Sequence, residues 1–216
     1  MDLEAERERA FKLYVEQKLT ERYGDARLPA KVKQQEAPYD NRNNRTEGDF
    51  VNPNGVTDAP IRLNHAYYDL TENQGGLTLV ATVRYLWVIR GDGHLVIGVE
   101  DPSVWRDAFP SAPTDTSGDG LGHPSIAATF SPTGEALPGT GRIAGELEAY
   151  RGAWKINDHS GRYSSGRGQV LVFLVNAAQK FQRYGIDVQY IQSKVEFADQ
   201  IKTVTELLSQ SKQAKL

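Results

Sequence analysis

The sequence predicts an α+β fold: a mostly antiparallel sheet of about five strands, one helix packed on it, and helices at the N- and C-termini. Three patterns carry this expectation. Two strand-like runs, the first rich in β-branched and aromatic residues, are each followed by a tight turn and a return run. One late segment repeats apolar residues at helical spacing, and the two ends read as charged helices.

Taken in order, residues 3–22 place Leu3, Ala10, Phe11, Tyr14, Val15 and Leu19 at near-helical spacing, and Gly24 can stop the helix. Residues 27–76 are rich in Asn, Asp, Pro and Gly and read as turns and extended chain. The run LTLVATVRYLWVIR (77–90) predicts a strand, Asp92-Gly93 a hairpin turn, and HLVIGVE (94–100) the return strand. Apolar residues fill both alternating sets around Tyr85–Ile89, which predicts a central strand covered on both faces. Residues 106–140 form a second Gly/Pro-rich irregular region. A second hairpin joins 142–150 to 153–157 through Arg151-Gly152. Residues 169–184 carry one apolar stripe (Val170, Phe173, Leu174, Ala177, Ala178, Phe181), with Gly185 suited to the position past the helix end. A strand at 186–191 and a helix at about 195–211 complete the reading. The chain then divides into an N-terminal helix (1–26), an irregular segment (27–76), an α+β core (77–192) and a C-terminal helix (193–216).

Composition narrows the chemistry. The 216 residues suffice for one substantial core, with 39% apolar and 25% charged residues. Cysteine is absent, which removes disulfides, thiolate nucleophiles and Cys-based zinc sites. A net charge of −3 gives no whole-chain nucleic-acid footprint, although a local basic site remains open. The charged N-terminus lacks the apolar core of a signal peptide, and no apolar run reaches membrane-spanning length. The expected location is the cytoplasm of the producing cell, or a target cell after delivery. Motifs for zinc hydrolases, nucleotide-binding loops and EF-hand calcium loops are missing.

Three segments hold candidate chemistry. His123, in GHPS (122–125), suits a general base or a ligand hydrogen bond; it equally suits a loop histidine bonded to local backbone. Glu146 and Glu148 fall on one face of a strand, where paired carboxylates can supply acid/base chemistry or form a solvated face. The stretch WKINDHSGRYSSGRG (154–168) runs from a strand into a helix N-terminus carrying His159, Ser160, Arg162, Tyr163, Ser164, Ser165 and Arg167. Unpaired N–H groups, two arginines and hydroxyls suit a phosphate or pyrophosphate there. The alternative is a polar turn whose side chains cap the helix.

Together, GHPSIA (122–127), RIAGELEAY (142–150), WKINDHSGRYSS (154–165) and AAQKFQRYGIDV (177–188) resemble a type of domain in bacterial effector and polymorphic-toxin proteins. There an H-[PS]-S segment, an AGE strand and an N-x-x-SG-[RH]-Y turn recur in this order. The resemblance covers about residues 80–190. It implies a secretion-system effector or toxin with a cognate immunity or chaperone protein as partner. A second likeness, to ADP-ribosyltransferases of the His-Tyr-Glu kind, implies NAD as cofactor and no metal. It puts His123, followed by Ser125, on the nicotinamide ribose and Tyr163 against nicotinamide. Glu196, or Glu146 in its place, would promote transfer. NAD-dependent ADP-ribosyl transfer is the leading expectation. One alternative is a metal-independent ribonuclease using Glu146 or His123 as base, His159 as acid, and Arg162 and Lys155 as cations. Another is a non-catalytic interaction domain.

Overall fold

A computed structural model of the chain describes residues 3–30, 32, 36, 60–114, 120–163, 171–191 and 202–203. In chain order its elements begin with α1 (Leu3–Tyr23), β1 (Tyr67–Asp69), β2 (Tyr85–Arg90) and β3 (Leu95–Val99). A 3-10 turn at Pro102–Val104 leads into α2 (Trp105–Ala108) and α3 (His123–Ile126), then a small hairpin of β4 (Thr129–Phe130) and β5 (Ala136–Leu137). The second half holds β6 (Gly141–Tyr150), β7 (Ala153–Asn157), α4 (Leu171–Arg183), β8 (Val188–Ile191) and β9 (Lys202–Thr203). The fold is α+β, with a main sheet ordered β1-β3-β2-β6-β7-β8-β9. Its pairs are antiparallel except β7 with β8, which are parallel and joined through α4.

Both expected hairpins are present. The first turns at Gly93, whose φ of 88° favours glycine; a Cβ there would also lie 2.7 Å from Leu19 of α1. The second turns at Arg151 and Gly152, with φ of 52° and 79°, the pair of positive values that a two-residue hairpin of this twist requires. Strand β2 is buried on both sides. Tyr85, Trp87 and Ile89 face the main core, and Leu86 and Val88 face a smaller one. Helix α4 buries Leu174, Ala177, Ala178 and Phe181 in the main core, with the Phe181 ring edge-on to Trp87 at 5.8 Å. It ends at Gly185 (φ 82°), where Ile186 N donates to Phe181 O and Gly185 N to Gln182 O.

Several boundaries differ from the sequence reading. The strand expected over 77–90 begins at Tyr85, because a turn intervenes: Val83 N donates to Val80 O, and Val80 N to the Tyr85 hydroxyl. Leu77, Leu79 and Val80 still pack on the core, as irregular chain. Within the segment read as turns and extended chain, where short strands are one expectation, β1 is an edge strand of three residues paired with β3. Of the expected last helix, only Lys202 and Thr203 are among the described residues; they form β9, an edge strand against β8. Helix α1 forms, but among the described residues much of its expected core face stays open: Leu3, Phe11 and Tyr14 are all more than half exposed. Among the described residues its last turns meet the body, through Leu19, Tyr23, the Arg22 carbonyl that accepts from Asn176, and the buried Arg142 side chain.

Candidate functional site

The site is a consequence of strand alternation. In β6, Ala144 lies in the smaller core, so Glu146, Glu148 and Tyr150 follow it on that face of the sheet. Helix α3 and Tyr163 cover the part around Leu86, Val88 and Ala144. Beyond them the face turns polar. Glu146 stands opposite Leu86 of β2, and Glu148 opposite Lys155 of β7.

Asn157, the last residue of β7, fixes Glu146. Its Oδ1 accepts from Glu146 N at 3.0 Å and from His159 N at 2.9 Å, while its Nδ2 donates to Glu146 Oε2 at 3.1 Å. The same carboxylate oxygen lies 3.7 Å from His159 Nδ1, and Oε1 lies 3.6 Å from Arg84 Nη1. Arg84 also approaches Glu100, at 3.8 Å. Glu146 is 22% exposed, whereas His159 and Arg84 are half open to solvent. A carboxylate, an imidazole and a guanidinium thus converge at an accessible point: a proton acceptor, a proton donor and an anion-binding group.

His123 supports this cluster from behind. Its ring is buried, and Nε2 donates to Gly145 O at 2.9 Å, since a carbonyl can only accept. Burial lowers its pKa to about 4; the Gly145 bond and the Glu146 charge oppose the shift, and Arg162 adds to it. The imidazole is therefore neutral near neutral pH. Ser125 is fully buried, and its hydroxyl makes no hydrogen bond among the described residues.

The opening turn of the polar stretch serves the chain itself. Ser160 Oγ accepts from the backbone of Arg162 and Tyr163. Arg162 is 8% exposed, and its guanidinium faces the buried Glu36 carboxylate at 3.7 Å. The other Glu36 oxygen accepts from Gly122 N. Tyr163 is buried against Gly141, where a Cβ would stand 2.8 Å from the ring, and its hydroxyl donates to Gly139 O. Burial pushes that phenol above its ordinary pKa. Ser164, Ser165, Arg167 and Glu196 lie outside the described residues, as does the expected anion site at the start of the 169–184 helix.

The structure thus brings Glu146 and His159 together and places His123 one backbone carbonyl away. Tyr163 and Arg162 are held in the interior by other partners. Lys155 lies on the same face as Glu146 but farther along the sheet. Arg84 and Asn157 are the site residues that sequence reasoning missed. Alternation would put Arg84 on the Glu146 face only once the β2–β6 pairing is known. His94 pairs with the buried Asp69 at 2.7 Å, and His65 lies edge-on to Trp105. Among the described residues, no group of three or more His, Asp or Glu is placed to hold a metal ion, and no helix is long and apolar enough to cross a membrane.

The class that fold and site define is an α+β protein with an acid–base cluster on the open face of its sheet. The chain matches no protein-family model, no curated protein and no solved structure.

Proposed function

We propose that this chain is a ribonuclease of the small toxin kind, working by side-chain acid–base chemistry without a metal. The observation that carries this reading is the approach of His159 to Glu146 at 3.7 Å on the accessible sheet face, beside Arg84. In the proposed reaction the Glu146 carboxylate accepts the proton of a ribose 2′-hydroxyl. The 2′-oxygen then bonds to the adjacent phosphorus. The bond from phosphorus to the 5′-oxygen breaks, and the His159 imidazolium gives its proton to that leaving oxygen. A 2′,3′-cyclic phosphate and a free 5′-hydroxyl result, while Arg84 balances the charge that builds on the phosphoryl oxygens. The effector- or toxin-like setting, with an immunity or chaperone partner, rests on the sequence resemblance and belongs to the same proposal.

ADP-ribosyl transfer from NAD draws less support. It needs His123 and Tyr163 at a ligand, and both are buried, with His123 Nε2 and the Tyr163 hydroxyl bonded to backbone carbonyls. The discriminating experiment incubates single-stranded RNA with the chain in excess chelator. Cleavage to 2′,3′-cyclic phosphate ends is expected, reduced by about 10²-fold or more in Glu146→Gln and in His159→Ala. RNA that stays intact with the parent chain rules the proposal out.

A further inference from the structure

We propose that the polar sheet face extends the candidate site into a subsite for single-stranded RNA, where a nucleobase stacks on Tyr150 and Arg151 holds the neighbouring phosphate. The inference rests on the nuclease reading for one thing, the position of the scissile phosphate at Glu146. The rest comes from the far end of β6. Tyr150 follows Glu146 by four residues on the same face, about 13 Å along the strand. Tyr150 is 45% exposed although it belongs to a regular strand.

Two cations define the surroundings of that ring. Lys155 Nζ lies over the ring at 3.9 Å from its centre, and the Arg151 guanidinium carbon lies over it at 5.1 Å, so a base stacks on the ring once the Arg151 side chain swings out to the phosphate. Lys155 is itself 5% exposed, so it props the ring rather than meeting a ligand. Arg151 is exposed, and its positive φ in the hairpin turn fixes its backbone beside the ring. An exposed tyrosine under an exposed, displaceable guanidinium is a combination that grips single strands without reading their sequence. A duplex offers no free base face to such a ring. The subsite lies beyond the cleaved phosphate, so it favours oligonucleotides over dinucleotides.

The test uses the full chain and a fluorescently labelled 2′-O-methyl RNA octamer, which lacks the attacking hydroxyl and cannot be cleaved. Anisotropy titration is expected to show binding that weakens roughly ten- to a hundredfold in Tyr150→Ala and persists in Tyr150→Phe. Tyr150→Leu keeps an apolar side chain in the strand without a ring and is expected to behave as Tyr150→Ala. Arg151→Ala is expected to weaken binding and flatten its salt dependence. No binding by the parent chain overturns the subsite, and so does unchanged affinity in Tyr150→Leu. Cleavage of unmodified RNA is assayed alongside. Cleavage without Tyr150-dependent binding removes the subsite and leaves the nuclease; Tyr150-dependent binding without cleavage does the reverse.

Discussion

Asn157 holds Glu146 at both ends: its side chain accepts a hydrogen bond from the Glu146 backbone and donates one to the Glu146 carboxylate. The site's central acid is therefore aimed from a neighbouring strand, and Asn157 also anchors the backbone of His159. Asn157→Ala removes all three bonds and is expected to cost about 1–3 kcal/mol of stability. Under the nuclease reading it also lowers RNA cleavage by about tenfold or more, because a 1 Å misplacement of a reacting group is costly. Asn157→Asp keeps the shape but sets a second carboxylate against Glu146 and no longer donates to it. Denaturant unfolding and a cleavage assay in parallel separate the two effects; full activity in Asn157→Asp would contradict this account.

The buried His123 makes stability depend on pH. Folded, it stays neutral down to about pH 4, while the unfolded chain protonates it below about 6.5. Between those values the unfolded state holds the extra proton, so stability is complete above about 6.5 and falls as the pH drops toward 4. The loss between pH 7 and pH 5 is expected to be about 2 kcal/mol from this residue. His123→Gln can keep a donor toward Gly145 O without titrating. Urea unfolding at the two pH values should show a smaller difference in the variant than in the parent.

Gly145 and Gly152 both lie near the β6–β7 hairpin, and they predict different costs. A Cβ at Gly145 would fall 1.8 Å from Asn157 O, a backbone atom that cannot turn aside. Gly145→Ala is expected to push β7 away from the site and cost about 3 kcal/mol or more. At Gly152 a Cβ meets nothing within 4 Å, and the cost is the positive φ alone, about 1 kcal/mol. Thermal unfolding of the two alanine variants checks the order.

Legibility in the sequence followed the range of the interaction. Helix α4 was readable because Leu174, Ala177, Ala178 and Phe181 repeat with its own period, and both hairpins because Asp92-Gly93 and Arg151-Gly152 carry their turn chemistry locally. Alternation alone put Glu146 and Glu148 on one face. The approach of Arg84 to Glu146 depends on which strands pair and in what register, and no local pattern encodes that. Tyr163 sits among hydroxyls and charges and reads as an exposed turn residue. It is buried because Gly141, far away in the chain, leaves room for its ring. The Arg162 guanidinium suggested a ligand anion, but it faces Glu36 from a segment with no secondary-structure signal. The exposed face of α1 was misread for a related reason: helical spacing shows which residues share a face, not whether anything packs against it.

Arg142 is what ties α1 to the sheet, and it supplies the last prediction. Its side chain is fully buried, and its guanidinium is held by polar partners. Nε donates to Gly91 O, Nη1 to Thr20 Oγ1 and Gly24 O, and Nη2 meets the Glu16 carboxylate at 2.5 Å. One guanidinium therefore joins the first hairpin turn, the end of α1 and β6. Glu16 is 55% exposed, so water can replace part of what it gives, and Glu16→Gln is expected to cost less than about 1 kcal/mol. Arg142→Ala leaves the Gly91 and Gly24 carbonyls without this donor and opens a cavity, which predicts a loss of about 2–4 kcal/mol. Because α1 meets the body through its last turns, that loss should appear first as detachment of the helix. Hydrogen exchange in residues 16–23 is expected to speed up in Arg142→Ala well before the amides of β2 and β6 lose protection. Equal acceleration in helix and sheet would instead mean that α1 and the sheet unfold as one cooperative unit.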